Sequence, residues 1–362
     1  MATSAALSTI DGSVLEGGGQ ILRITAGLAA ILGKGISVTK IRAGRDKPGL
    51  RPQHLNGLQL IANMCDGTLT GGNVQSTEIS LQPGTLRSGQ FTCDTKTAGS
   101  TTLLLQVALP CLPFLRSSQL TLRGGTNADF APQFEYSQHV FKPMLERFGF
   151  SFDLHCKKKG FFPKGGGEIV ASTNQDNPIT LRCVDLMERG KIESIGGIAW
   201  SAGEHDATYA GAMAKEAKRV LRRALQDVPI DVEAKFESRQ SAIGSGRGIV
   251  LWANTSTGCI LGADALGGKK GTTAEELGEE AAKALIRNIQ AGGCVDEHLQ
   301  DQLIIFAVLA KGTSHIRCGP LTLHTETAIV MSEQMTDAKI SKKILQDGTV
   351  ILTIVGIGHS AS

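Results

Sequence analysis

Leu120-Thr-Leu-Arg-Gly-Gly-Thr-Asn-Ala-Asp-Phe-Ala-Pro-Gln133 reads as a short strand, a glycine-rich loop and the start of a helix. The same signals occur earlier in the chain. Ile36–Ile41 alternates as a strand should, Arg42–Arg51 is a basic loop broken by Gly and Pro, and Pro52-Gln53 opens a helix through Leu55, Leu58, Leu60 and Ile61. Gly44 and Gly124 fall in register, as do Pro52-Gln53 and Pro132-Gln133, each pair 80 positions apart. Each copy also has a preceding helix. Gly17-Gly-Gly-Gln20 leads into Ile21, Leu22, Ile24, Leu28 and Ile31; Thr97-Ala-Gly-Ser100 leads into Leu103–Val107, which stops at Pro110–Pro113. A third pass begins near Val295, with a helix through Leu299, Leu303, Ile304, Phe306 and Leu309. A strand at Ser314–Arg317, the loop Gly319-Pro320, a helix through Ala328, Ile329 and Met331, and a strand at Val350–Val355 follow. Its loop is shorter, so it aligns by element order alone. Three passes with one order of elements point to duplication.

Between the second and third passes lies an extra block with a strand at Ile195–Trp200 and a cationic helix at Ala212–Leu225. A further strand at Ile249–Asn254 and a helix at Ala274–Ile289 complete it. That is enough for an inserted domain. The expected architecture is therefore α/β, of the α+β sandwich type: residues 1–186 hold repeats one and two of a large domain, 187–292 a smaller α/β domain, and 293–362 the third repeat.

Composition narrows the function. The chain has 41% hydrophobic and 20% charged residues, as ordinary soluble globular proteins do, and 44 glycines suit a turn-rich fold. Aromatics at 4% speak against a surface built on base stacking. Eight cysteines without a C-x-x-C pair make a disulfide framework or structural zinc an unexpected reading, and a reducing compartment the expected one. No run approaches ~18 apolar residues and Met1–Ile10 lacks a basic leader, so a soluble intracellular protein without a membrane partner is expected. Lys157-Lys-Lys159 reads as a solvated turn. Net charge of +3 is weak, but Lys40, Arg42, Arg45, Lys47 and Arg51 crowd one loop against Asp46 alone. That loop is either a solvated face or a dock for something anionic.

Gly319-Pro-Leu-Thr-Leu-His-Thr-Glu-Thr327 places His324 at a helix start, where backbone N–H groups and the helix dipole favour phosphate. His324 is thus a candidate nucleophile, or else a capping histidine. If the equivalent loops converge, Glu16, Gln20, Arg23, Arg42, Arg45, Gln53 and His54 from the first repeat meet Gln106, Pro132 and Gln133 from the second, and Asp301, Gln302 and His324 from the third. Gln106 and Gln302 stand inside apolar helical runs, so each requires a hydrogen-bond partner. No Walker-type phosphate loop is present; Gly262–Thr272 misses the spacing.

Over nearly its whole length the chain resembles the RNA 3′-terminal phosphate cyclases. The matching segments are Glu16-Gly-Gly-Gly-Gln-Ile-Leu-Arg23, Lys40-Ile-Arg-Ala-Gly-Arg45, Pro48-Gly-Leu-Arg-Pro-Gln-His54, Asp94-Thr-Lys-Thr-Ala-Gly-Ser100, Gly124-Gly-Thr-Asn127, Phe162-Pro-Lys-Gly-Gly-Gly-Glu168, Leu299-Gln-Asp-Gln-Leu303 and the His324 segment. The resemblance implies a ligase-type enzyme acting on RNA with a 3′-phosphate end. ATP adenylates a histidine, AMP passes to the RNA phosphate, and the 2′-OH closes a 2′,3′-cyclic phosphate. It implies His324 as the adenylated residue and Gln106, Pro132, His298, Asp301 and Gln302 at the ATP. Arg23, Arg42, Arg45 and Gln53 would handle the phosphate and RNA end, and Glu16 a divalent metal (Mg or Mn). Where relatives usually carry tyrosine, this chain has His298, whose ring stacks on adenine with less area. Animal relatives imply nuclear residence, with cytoplasmic residence also allowed; the quaternary state is left open. The rival readings are an inactive cyclase-like ribosome-assembly protein, which would lack the nucleophile, an enolpyruvyl-type transferase, and a plain RNA-binding module.

Overall fold

A computed structural model describes residues 7–267 and 271–361. The main helices are α1 (Gly19–Leu32), α2 (Pro52–Met64), α3 (Thr101–Ala108), α4 (Ala207–Ala224), α5 (Ala274–Gln290) and α6 (Leu323–Met335).

Three four-stranded patterns repeat. The first sheet contains Ser8–Asp11, Ile36–Thr39, Thr68–Thr70 and Ile79–Gln82; the second Gln90–Asp94, Gln119–Gly124, Asp153–Gly160 and Gly167–Ser172; the third Asp185–Leu186, Thr313–Cys318, Lys339–Ile344 and Val350–Val355. In each, the chain-order strands lie first, second, fourth, third, with a parallel first pair and antiparallel neighbours after it. A parallel pair requires a crossover. α1 supplies it in the first sheet and α3 in the second. In the third the crossover carries the whole of Ile192–Gln290 before Leu299–Gln302 and Ile304–Leu309. The third sheet therefore takes its first strand, Asp185–Leu186, from ahead of the inserted block.

That block forms its own mixed sheet of Ile192–Ala202, Ile230–Glu237, Gly246–Thr255 and Ile260–Leu266. α4 and α5 pack together over it around Ile195, Met213, Leu221, Leu251, Leu261, Leu277 and Leu285. Asp206 caps α4, and Thr273 with Glu276 forms a capping box on α5. A second, larger core joins the three repeats through Ile21, Leu28, Leu104, Leu122, Phe148, Phe306 and Leu352. α1 lies at its centre, packed against α2, α3 and α6. Eleven of its fourteen residues are buried, Gln20 among them, and Arg23 is half-buried. Among the described residues no helix is long and apolar enough to cross a membrane.

Three local readings change. The helix expected from Pro132 begins at Phe134 and contains a π-helical stretch at Ser137–Phe141. The helix expected from Leu299 to Leu309 is broken at Leu303. Lys157–Lys159 is no turn but part of the strand Asp153–Gly160, against whose outer side the short strand Ala242–Ile243 pairs, and Lys159 is buried against Glu135. Three consecutive lysines gave the strand no apolar alternation to read, so charge hid it.

Candidate active site

α6 begins at Thr322, whose hydroxyl accepts the N–H of Thr325 at 3.2 Å. This fixes the first turn, and with it His324, which stands exposed at the mouth of the site. The ring is held from the side: His324 Nδ1 lies 3.0 Å from Gln20 Oε1, and Gln20 Nε2 donates to Asp301 Oδ2 at 2.6 Å. With its amide nitrogen committed to a carboxylate, Gln20 can only accept at Oε1. His324 must then carry its proton on Nδ1, leaving the Nε2 lone pair free. Gln20 of the first repeat thus bridges two residues of the third and sets the tautomer of His324.

Glu16 sits just before α1. Its N–H donates to Thr327 Oγ1 at 3.3 Å, linking the first repeat to α6. Arg45 donates to the Glu16 carbonyl at 2.9 Å and pairs with its Oε1, while Oε2 is buried without a hydrogen-bond partner. The three glycines make this approach possible. A Cβ on Gly18 would meet the Glu16 carboxylate at 2.3 Å, and one on Gly19 would meet His54 Nε2 at 2.4 Å.

Arg42 is tied within its own loop, donating to the carbonyls of Lys47 at 2.7 Å and Gly49 at 3.1 Å. Arg23 lines two clefts. One is walled by Gln20, Gln106, Asp301, Gln302, Ile305 and Phe306; the other by Gly19, Gln53, His54 and Leu103. Gln106 Nε2 donates to Gln302 Oε1 at 3.0 Å, and Gln302 donates to the His298 carbonyl at 2.6 Å. The two half-buried glutamines thus find partners in each other. The Pro132 carbonyl accepts from Thr102 on α3 at 2.7 Å. His298 is exposed, its ring 6.4 Å from Tyr136 in an edge arrangement. Gln53 takes a joining role: its side chain accepts the N–H of Ser100, stitching α2 to the second repeat at 3.2 Å.

The electrostatics follow from burial beside cations. Burial pushes Asp301 up to about 7 despite the pull of Arg23. Burial lowers His324, with Glu16 opposing and Arg23 assisting, so the imidazole is neutral near pH 7. His54 is pushed down to about 3 by burial and by Arg23, Arg42 and Arg51. Its Nδ1 accepts the Arg51 N–H at 3.2 Å, so its proton sits on Nε2. Burial with positive neighbours likewise lowers Arg42.

Two contributors escaped the sequence reading. Asp296, 1% exposed, accepts from Tyr136 Oη and Gly262 N at 2.7 Å and from the N–H groups of His298 and Leu299 at 2.9 Å, anchoring the short helix that carries Asp301. An aspartate three residues before a helical leucine is an N-cap signal that could have found it. Asp264, from the inserted unit, is half-buried and pushed up by burial; nothing in its strand marks it.

The family model described as RNA 3′-terminal phosphate cyclase matches residues 14–342. A Drosophila melanogaster protein named RNA 3′-terminal phosphate cyclase is 42% identical over 97% of this chain and 96% of its own length. A Dictyostelium discoideum protein named probable RNA 3′-terminal phosphate cyclase is 42% identical over 98% of this chain and 83% of its own. An archaeal protein of that name from Pyrobaculum neutrophilum is 36% identical over 97% and 99%. The match spans all three repeats and the inserted unit, and it takes in every residue of the His324 cluster: the chain belongs to the RNA 3′-terminal phosphate cyclase family.

Proposed function

We propose that this protein converts an RNA 3′-terminal phosphate into a 2′,3′-cyclic phosphate at the expense of ATP, through AMP bound covalently to His324. The observation that carries the proposal is the Asp301–Gln20–His324 relay, which supports Nε2 as the attacking atom.

In the first step Nε2 attacks the α-phosphorus of ATP, a P–N bond forms, and pyrophosphate leaves with the electrons of the broken P–O bond. The positive charge gained by the ring is shared through Nδ1–H with Gln20 and, beyond it, Asp301. An oxygen of the RNA 3′-phosphate then attacks the same phosphorus; the P–N electrons return to Nε2 and an RNA-adenylate anhydride is released. Finally the adjacent 2′-oxygen attacks the 3′-phosphorus, its proton is lost, and AMP departs. In this reading Arg23 and Arg45 would offset the phosphoryl charge, and Gln106 and Gln302, which line one cleft beside Arg23, would take the adenosine together with Pro132 and His298.

A divalent cation suits one feature of this site. Glu16 offers a buried carboxylate oxygen with no partner, although no group of three or more His, Cys, Asp or Glu gathers among the described residues. Glu16 would hold the ion together with water and phosphate oxygens, and the ion would supply charge neutralisation at the triphosphate. The test is product analysis: ATP, divalent metal and a 3′-phosphorylated oligoribonucleotide should yield phosphatase-resistant RNA ending in a cyclic phosphate. Unchanged 3′-phosphate after incubation with freshly purified, folded protein would refute the proposal.

A further inference from the structure

Two large apolar side chains stand in solvent on neighbouring loops. Phe130 is fully exposed, and its φ of 59° is one that bulky residues rarely adopt. Phe162 is 77% exposed. Folding gains little from either, and an exposed aromatic pair carries an aggregation risk. Each is nonetheless rigidly based. The loop of Phe130 is pinned by Thr126 N donating to the Gly160 carbonyl at 2.9 Å and by Thr102 donating to Pro132. Phe161 next door is buried, its ring stacked on Trp200 at 4.8 Å, so Phe162 is directed outward from an anchored neighbour.

These loops are continuous with the phosphate-handling end of the site. Gly99 packs on Gln53 at the start of α2. A Cβ on Gly124 would lie 2.3 Å from the Gly99 carbonyl oxygen, and one on Gly165 2.2 Å from that of Thr97. Backbone lies directly on backbone from α2 through the loop of residues 95–100 to the loops bearing Phe130 and Phe162. Beyond Phe162 opens a polar cleft of ≈ 770 Å³ lined by Lys164, Glu204, Arg239 and Gly244. Exposed Lys96 and Lys164 flank the path, opposed by Asp94 and Asp129. The local charge is near balance, so aromatic faces rather than cations distinguish this surface.

We infer that, contrary to what the low aromatic content led the sequence to suggest, Phe130 and Phe162 form a two-ring stacking platform for the bases of the single-stranded RNA segment that leads into the site. The inference rests on the cyclase reading above for the identity of the strand. Flat rings on rigid loops, presented to solvent beside a site for an RNA end, suit unpaired bases of any sequence. The phosphate end would be recognised at the arginines and the body of the strand by these two rings.

The test compares Phe130→Ala, Phe162→Ala and Phe130→Trp with the unaltered protein in two assays. Covalent labelling by ATP without RNA reads the nucleotide site and the fold. Fluorescence anisotropy reads binding of a 3′-phosphorylated single strand of roughly ten nucleotides, the size class of single-strand sites. Each alanine variant should label normally yet bind that strand about five- to hundred-fold more weakly, the range spanned by one stacked base. Binding of a 3′-phosphorylated dinucleotide should be unaffected, and the tryptophan variant should bind at least as well as the unaltered protein. Alanine variants that label normally and bind the strand with unchanged affinity would overturn the platform, and the rings would then belong to a protein-docking rim. If the unaltered protein does not label but alanine still weakens RNA binding, the platform stands and the cyclase reading fails.

Discussion

Two polar clusters sit where units of the fold meet, and they are built on opposite principles. Around Gln133, every side-chain atom that can bond does so. Its oxygen accepts from Trp200 at 3.0 Å and Asn127 at 3.1 Å. Its nitrogen donates to Asp264 at 2.9 Å, to the Ala265 carbonyl at 3.1 Å and to that of Ile249 at 3.4 Å. Asn127 passes on to Glu135 at 2.8 Å, and Glu135 pairs with Lys159, whose ammonium also lies over the Phe134 and Trp200 rings at 5.0 and 5.9 Å. Around His324 the bonds stop short: Nε2 is free, Glu16 Oε2 has no partner, and Arg23 faces two clefts. A saturated network holds the inserted unit to the second repeat, whereas the unsaturated one keeps capacity for a ligand. The duplicated Pro-Gln pair makes the same point, since Gln53 joins α2 to the second repeat while Gln133 joins the second repeat to the insert.

If the clusters differ in this way, substitutions in them should fail differently. Gln20→Met removes the acceptor that fixes the His324 tautomer. Adenylation should fall roughly 10²- to 10⁴-fold, as when other orienting residues of catalytic histidines are lost, with little change in thermal midpoint; single-turnover labelling and thermal melts read both. Lys159→Met should do the reverse. It strands Glu135 as a buried charge and should lower stability by about 3–5 kcal/mol, measured by urea unfolding, while the folded fraction labels normally. Adding Glu135→Leu should restore most of the loss. An equal loss of labelling in both variants would erase the distinction.

Glu16→Gln keeps shape but removes charge, and should raise the divalent-metal requirement roughly 10- to 100-fold in a metal titration. The pH response sharpens the comparison further. Protonating Asp301, whose carboxyl lies at about 7, weakens the acceptor that orders Gln20. Adenylation should therefore fall about tenfold per pH unit below neutrality, and Asp301→Asn should flatten that limb. His54 bears on stability rather than on labelling. With a folded value of about 3 against an ordinary 6.5, the unfolded chain binds the proton first, so stability declines as pH falls through that window. His54→Gln should reduce the acid sensitivity.

Much of the fold was legible because burial imposes periodicity. The apolar stripe of α1 and the strand Val350–Val355 both follow from it. Where charge masked the pattern, the sequence was silent. Asp153–Gly160 carries three lysines, and Lys339–Ile344 is an edge strand exposed along most of its length. Asp185–Leu186 is only two residues long, too short for any periodic signal. The residue types gathered around His324 were readable, since polar side chains within apolar helices demand partners. Which partner each chose was not. Gln106 could have met backbone but met Gln302, and Gln133, expected at the cleft, is fully buried at the joint with the insert.

The most direct measurement is covalent labelling with α-labelled ATP and a divalent metal, followed by denaturation and mapping of the label. The account predicts an acid-labile, base-stable adduct on His324 that His324→Ala abolishes. A folded protein that takes up no label, or a label that survives His324→Ala, would contradict it.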